Sequence, residues 1–127
     1  MKETDLVYLK HILESIYNIE RSTEKISEEE FKKNVDLVDA NLRRIEIIGE
    51  AAKNLSDKFK IKYSDIEWKK IAGTRDVLIH AYFTVDLGAV WIIIKKDLLE
   101  LKNQIETIIK DIVEVEKKKK GKKRITS

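Results

Sequence analysis

One stretch concentrates the side chains able to do chemistry: Trp68-Lys-Lys-Ile-Ala-Gly-Thr-Arg75-Asp76-Val-Leu-Ile-His80-Ala-Tyr82-Phe83 sets a cation, an acid, an imidazole and a phenol within eight residues. A guanidinium stays charged and forks onto two phosphate oxygens. An imidazole, with an unperturbed pKa near ~6.5, takes up and returns a proton at neutral pH. Asp76 and His80 stand at i and i+4, about 40° apart on a helix, so the carboxylate can hold the imidazole's tautomer. Arg75 and His80 stand at i and i+5, about 140° apart. Both reach one phosphate only if the helix tightens or ends near His80, or if a second subunit completes the site. Tyr82 lies beside His80 only if the chain has left the helix, and Thr84 and Asp86, both good N-caps, are consistent with a turn there. Taken alone, the same residues also fit a surface cation, a satisfied histidine at a helix end and an aromatic packing a turn.

Other side chains offer less. Glu46 and Glu50 are spaced i and i+4 but have no histidine partner, so they are expected to pair with Arg43, Arg44 or Lys53, or with Arg75 from another helix. Lys69 and Lys70 follow Trp68 and could clamp single-stranded RNA, with the indole as a stacking platform, although a core role suits Trp68 better. His11 falls on the polar side of its helix and is given no role. Whole classes of chemistry are excluded by what is missing. Glycines occur only at 49, 73, 88 and 121, too scattered for a phosphate-cradling loop. There is no cysteine, no His-Glu-x-x-His and no Gly-x-Ser-x-Gly, and Tyr8 and Val77 stand where a di-iron bundle needs glutamate three residues before each histidine. No metal and no cofactor are expected.

The elements that must hold the motif are helical. Apolar spacing predicts a first helix from about Thr4 to Arg21 and a second opened by a Ser27/Glu30 capping box, whose stripe runs unbroken from Phe31 through Val35, Val38, Leu42, Ile45 and Gly49 to Ala52. Gly49 inside it implies close helix approach. A third, shorter helix is expected to open at a Ser64/Glu67 box and end near His80, and a fourth carries a seam from Leu87 through Trp91, Ile94, Leu98, Leu101, Ile105, Ile108 and Ile112 to Val115. That seam, about 42 Å long, exceeds what 127 residues need to cover one core, so part of it is expected to meet another chain. The reading is an all-α antiparallel bundle of four main helices, with room for a short extra one, that dimerises. Residues 1–116 form the domain, and residues 117–127 a basic tail expected to be solvated and disordered. The net charge of +3 conceals this asymmetry, because seven cations and no acids lie beyond Glu116, leaving 19 basic against 23 acidic residues before it. Lys117, Lys118, Lys119 and Lys120 are therefore candidate RNA contacts. A charged N-terminus and the absence of an apolar run near ~20 residues point to a protein of the cytoplasm with no membrane partner.

Arg75-x4-His80-x-Tyr82 resembles the Arg-x4-His-x-Tyr motif of the HepT-like toxins, a branch of the HEPN superfamily of helical ribonucleases. Arg44-x-Glu46-Ile47-Ile48-Gly49-Glu50-Ala51-Ala52 resembles the family's Ile-Gly-Glu-Ala helix, Trp68-x-x-Ile71-Ala72-Gly73 its lead into the motif, and Asp86 to Trp91 its exit. The departures are Asp76 in place of a common asparagine, Thr74 in place of a frequent methionine, and Leu99 where the family has proline. The resemblance implies the toxin of a type VII-like toxin–antitoxin system, a metal-independent endoribonuclease in which the RNA 2′-OH attacks the neighbouring phosphodiester. Arg75 and His80 would be catalytic and Asp76 supporting. The implied partners are RNA, a second copy completing a composite cleft, and a nucleotidyltransferase antitoxin that transfers AMP to Tyr82, in a homodimer or a larger toxin–antitoxin assembly. The alternative is a non-catalytic HEPN module that binds a nucleotidyltransferase or a nucleotide through the same pocket.

Overall fold

The computed structural model describes residues 3–74 and 86–126, with the backbone alone from 120 onward. The described residues are helices and turns with no strand, the all-α fold expected. Helix α1 (Glu3–Thr23) buries Leu9, Ile12, Leu13, Ile16 and Ile19, the stripe its 3.6-residue period predicts. Asp5 stands on that stripe, four residues before Leu9, and is 1% exposed. A buried carboxylate must be hydrogen-bonded. Its Oδ1 accepts from the Ser56 backbone N–H at 2.8 Å and its Oδ2 from the Ser56 hydroxyl at 2.7 Å.

Ser56 follows helix α3, whereas Ser22, near the end of α1, donates to the Asn41 side-chain oxygen early in α3. The two helices therefore run antiparallel. The second predicted helix is broken in two. The Ser27/Glu30 box forms as expected and opens α2 (Glu28–Lys33), but α3 (Val35–Asn54) starts afresh. Asn34 ends one helix and caps the next, taking φ −99° and ψ 92° and accepting from the Leu37 N–H at 3.1 Å. An asparagine side chain competes for backbone donors in this way, and a three-and-four step count is blind to it. Val35, expected on the stripe, is 68% exposed in consequence.

The Ser64/Glu67 box is not formed. Ser56 instead caps an additional helix, α4 (Asp57–Lys62), by accepting from the Phe59 N–H, and Ser64 lies in the turn that follows. Residues 68–74 form the described part of α5, where the Glu67 carbonyl accepts from the Ile71 N–H and Glu67 occupies the cap position itself. The expected end of this helix near His80 lies outside the described residues.

After Asp86 the chain forms α6 (Leu87–Ile92), one π-helical turn (Ile93–Asp97) and α7 (Leu98–Thr126). Against α1 this arm is antiparallel. The Tyr17 hydroxyl donates to Glu106, Glu20 pairs with Lys102 at 2.9 Å, and Lys95 donates to the Thr23 carbonyl, so numbers rise along one helix as they fall along the other. Lys95 also lies 4.8 Å from the centre of the Trp91 ring. Val90, Ile94, Leu98, Leu101, Ile105 and Ile108 are buried. The expected seam does not stay buried along its whole length: Leu87, Trp91 and Ile112 are half-buried and Val115 is 51% exposed. Helix α7 nevertheless continues through the lysine cluster that the sequence assigned to a separate tail, and Lys117, Lys118 and Lys119 are exposed on it. Lysine and arginine are good helix formers and nothing before Gly121 breaks the run. Among the described residues no helix is long and apolar enough to cross a membrane.

Candidate functional site

Arg75, Asp76, His80 and Tyr82 lie outside the described residues, as does Thr84. The structure does describe how the chain enters and leaves this segment. On the entry side Trp68 is 6% exposed, packs on Phe59 with ring centres 5.8 Å apart, and donates its indole N–H to the Tyr63 carbonyl at 3.0 Å. A ring held this way cannot stack on RNA, so the platform reading of Trp68 is replaced by the core one. Three residues on, Ile71 faces Gly49 of α3. A Cβ on Gly49 would lie 3.3 Å from the Ile71 carbonyl oxygen, 3.4 Å from the Thr74 hydroxyl and 3.5 Å from the Ala72 carbonyl oxygen. The close approach expected of Gly49 is thus made to the last turn before Arg75. Thr74 is tied back by donating its hydroxyl to the Ile71 carbonyl, a packing role for the residue that departs from the family pattern.

On the exit side Asp86 caps α6, accepting from the Ala89 N–H at 3.0 Å. Trp91 packs on the fully buried Phe31 of α2, ring centres 5.2 Å apart. A Cβ on Gly88 would come within 3.7 Å of the Lys32 ammonium and 3.3 Å of the Asp86 carboxylate. The described residues before position 75 are thus anchored on α3, and those after position 85 on α2.

The predicted flanking residues divide. Glu46 pairs with Arg43 at 3.5 Å, one of the expected partners, and Arg44 donates to the buried Asn41 side-chain oxygen. Glu50 is exposed on the same helix. Lys69 and Lys70 are exposed, Lys70 within 3.7 Å of Glu67. Between α3, α5 and the start of α7 opens a pocket of about 340 Å³, floored by Ile45, Ile48 and Leu101 and reaching Thr74. Among the described residues its rim carries Asp65, Glu67, Asp97 and Glu100 against one cation, Lys70. Sequence reasoning missed three tertiary contacts of the frame: the Asp5–Ser56 knot, the Ser22–Asn41 bond and the Lys95 anchor. The signal for the first two was present, a polar residue standing in an apolar stripe. Among the described residues no three His, Asp or Glu side chains converge as metal ligands would.

The chain is similar to known proteins along most of its length. The model of the family described as ribonuclease HepT-like matches residues 12–108, about three quarters of the sequence. A protein of Methanocaldococcus jannaschii named "Gamma-glutamylcyclotransferase and putative RNase" is 48% identical over 96% of this chain, which spans only 54% of that protein's length. A "Putative RNase" of Caldanaerobacter subterraneus subsp. tengcongensis is 43% identical over 84% of this chain and 96% of its own. A "Probable ribonuclease HepT" of Thermococcus cleftensis is 41% identical over 87% of this chain and the whole of its own. No solved structure matches the chain. With the matched stretch running unbroken from the core of α1, through Gly49 and the motif, to the last buried residue of α7, the chain belongs to the HepT-like ribonuclease family.

Proposed function

We propose that this protein is a metal-independent endoribonuclease and the toxin of a type VII-like toxin–antitoxin pair, acting as a homodimer. The observation that carries the reading is that Arg75, His80 and Tyr82 lie in a segment inside the family match, entered from the Gly49 contact and left through the Phe31–Trp91 contact. In the proposed reaction the RNA 2′-oxygen loses its proton to a base and attacks the adjacent phosphorus. The bond from phosphorus to the 5′-oxygen breaks and that oxygen takes a proton from an acid, leaving a 2′,3′-cyclic phosphate and a 5′-hydroxyl. Arg75 carries the charge that develops on the phosphorane oxygens. His80 handles the protons, with Asp76 holding its tautomer. One imidazole cannot be base and acid at the same instant, so two copies facing one cleft supply the pair. Lys69, Lys70 and Lys117 to Lys120 are proposed as contacts to the RNA backbone.

Tyr82 is proposed as the off switch. A nucleotidyltransferase antitoxin joins the phenol oxygen to the α-phosphorus of ATP and pyrophosphate leaves. The AMP then puts bulk and negative charge two residues from His80, where an RNA phosphate must sit. The test is cleavage of a labelled RNA by purified wild-type and His80→Ala protein in excess EDTA. Cutting to 2′,3′-cyclic ends that is lost in the variant is expected. If wild-type protein with a bare Tyr82 by mass cuts no RNA, the enzymatic reading fails in favour of a non-catalytic module that binds a nucleotidyltransferase or nucleotide.

A further inference from the structure

Asn41 is fully buried on α3, yet its Nδ2 meets no acceptor among the described residues. A buried amide donor left without a partner costs stability that an apolar side chain of similar shape would not. What the side chain does hold is Arg44. Its Oδ1 accepts from the Arg44 guanidinium at 2.9 Å and from the Ser22 hydroxyl at 3.2 Å. Ser22 has a nearer acceptor in the Ile19 carbonyl, at 2.8 Å, so Arg44 is the partner that depends on Asn41. Arg44 is half-buried and makes no ion pair among the described residues, whereas its neighbour Arg43 pairs with Glu46. Its guanidinium is thus fixed through one N–H while the others remain to bind something else.

Arg44 lines a groove of about 490 Å³ between α1 and α3, together with Arg43, His11, Ser15 and Asn18. Two guanidinium groups stand there against one carboxylate, Glu14, the reverse of the balance beside Thr74. The Asn18 side-chain oxygen is taken by Arg21, so what Asn18 can offer a ligand is its N–H donors. Past His11 and Arg43 the groove continues into a second hollow edged by the half-buried Tyr8. A held guanidinium, amide donors and an aromatic edge along one groove are the means by which a single-stranded nucleic acid is gripped. We propose that Arg44, positioned by Asn41, binds a phosphodiester of the RNA in this groove. Arg44 stands about 140° around α3 from Gly49, the point where α5 is met, and about 7.5 Å along the axis. The groove therefore opens on another side of α3 than the entry to the motif, and it anchors the strand rather than acting on the scissile bond. The inference rests on the ribonuclease reading for the identity of its ligand.

The test is the fluorescence anisotropy of a labelled single-stranded RNA in EDTA, with full-length His80→Ala as the parent so that the RNA stays whole. Arg44→Gln should weaken binding about tenfold at low salt and flatten the slope of log Kd against log salt by about 0.7, the loss of one phosphate contact. Arg44→Lys should keep the slope and lose part of the affinity, because an ammonium has the charge without the fork. Asn41→Leu should weaken binding several-fold while its urea midpoint equals or exceeds the parent's, a combination that a packing role for Asn41 does not give. With His80 restored, these losses should appear in KM. Unchanged affinity and slope in Arg44→Gln overturn the site and leave the ribonuclease reading to its own cleavage test. A lowered midpoint in Asn41→Leu with unchanged affinity overturns the positioning role. Displacement of the RNA by poly-glutamate at equal charge overturns the RNA assignment in favour of an acidic peptide.

Discussion

Gly49 offers the sharpest test of how the motif is held. On a solvent-facing helix, replacing glycine by alanine stabilises by ~1 kcal/mol, and valine recovers part of that gain. Here the new methyl would lie 3.3 Å from the Ile71 carbonyl oxygen and 3.4 Å from the Thr74 hydroxyl, so α5 must retreat by a few tenths of an ångström. Overpacking of this kind costs about 1–3 kcal/mol. For Gly49→Ala the two effects nearly cancel or leave a small loss. For Gly49→Val the larger branched side chain adds crowding without the full gain in helix propensity, and a net loss of about 1–3 kcal/mol is expected. Stability should thus follow glycine, then alanine, then valine, measured by urea unfolding with the helical circular-dichroism signal as probe. RNA cleavage should fall faster than stability, because the displaced turn leads straight into Arg75. The reasoning is refuted if Gly49→Ala is more stable than wild type by the full ~1 kcal/mol and cuts RNA at the wild-type rate.

Two further outcomes test the frame. Phe31 is fully buried under Trp91, so Phe31→Ala should cost about 3–5 kcal/mol and shift the Trp91 fluorescence of the folded protein; a loss below ~1 kcal/mol would mean that α2 does not anchor the motif's exit. The Tyr17 phenol is held above its ordinary value of 10.0, first by its hydrogen bond to Glu106, then by burial and by the negative charge of Glu106 and Glu20. The folded state keeps that proton more tightly than the unfolded chain does. Its contribution is therefore complete below pH 10 and is lost as pH rises through the raised value. Urea midpoints of wild type and Tyr17→Phe should differ by a constant amount up to about pH 10 and converge above it, and a constant gap to pH 11 would contradict the assignment.

Much of the frame was legible because amphipathic periodicity is a local signal. The stripe of α1 and the Ser27/Glu30 box follow from residues within one turn of each other. Gly49 was readable as a point of close approach, but its partner was not, since nothing local says that Ile71 arrives there. The breaks were harder. Asn34 interrupts a stripe whose step count passes through it unchanged, and α4 is six residues long with two apolar positions, too short for a period to register. Ser56 and Ser64 both look like caps. The choice between them is made by Asp5, 51 residues away, whose buried carboxylate needs the Ser56 donors. Asp5 itself was visible as a charge standing on an apolar stripe. The motif was legible in residue type and spacing, and what the structure adds is how the chain is anchored before and after it.

Helix α1 is held at both ends by parts of the chain made long after it. Its start waits for Ser56, its last turn for Lys95, and its flank for Lys102 and Glu106. During synthesis the helix that emerges first is therefore not fully covered until the last one is made. At about 5–20 residues per second, the stretch from Thr23 to Ile108 takes on the order of 4–17 s to make. Helix α3 covers one side of α1 once residues 35–54 are made, and the side that meets α7 stays uncovered until the interval ends. A nascent chain of this kind is a client for whatever holds apolar helices near the ribosome, and a message cut short before α7 yields a product that cannot close its own core.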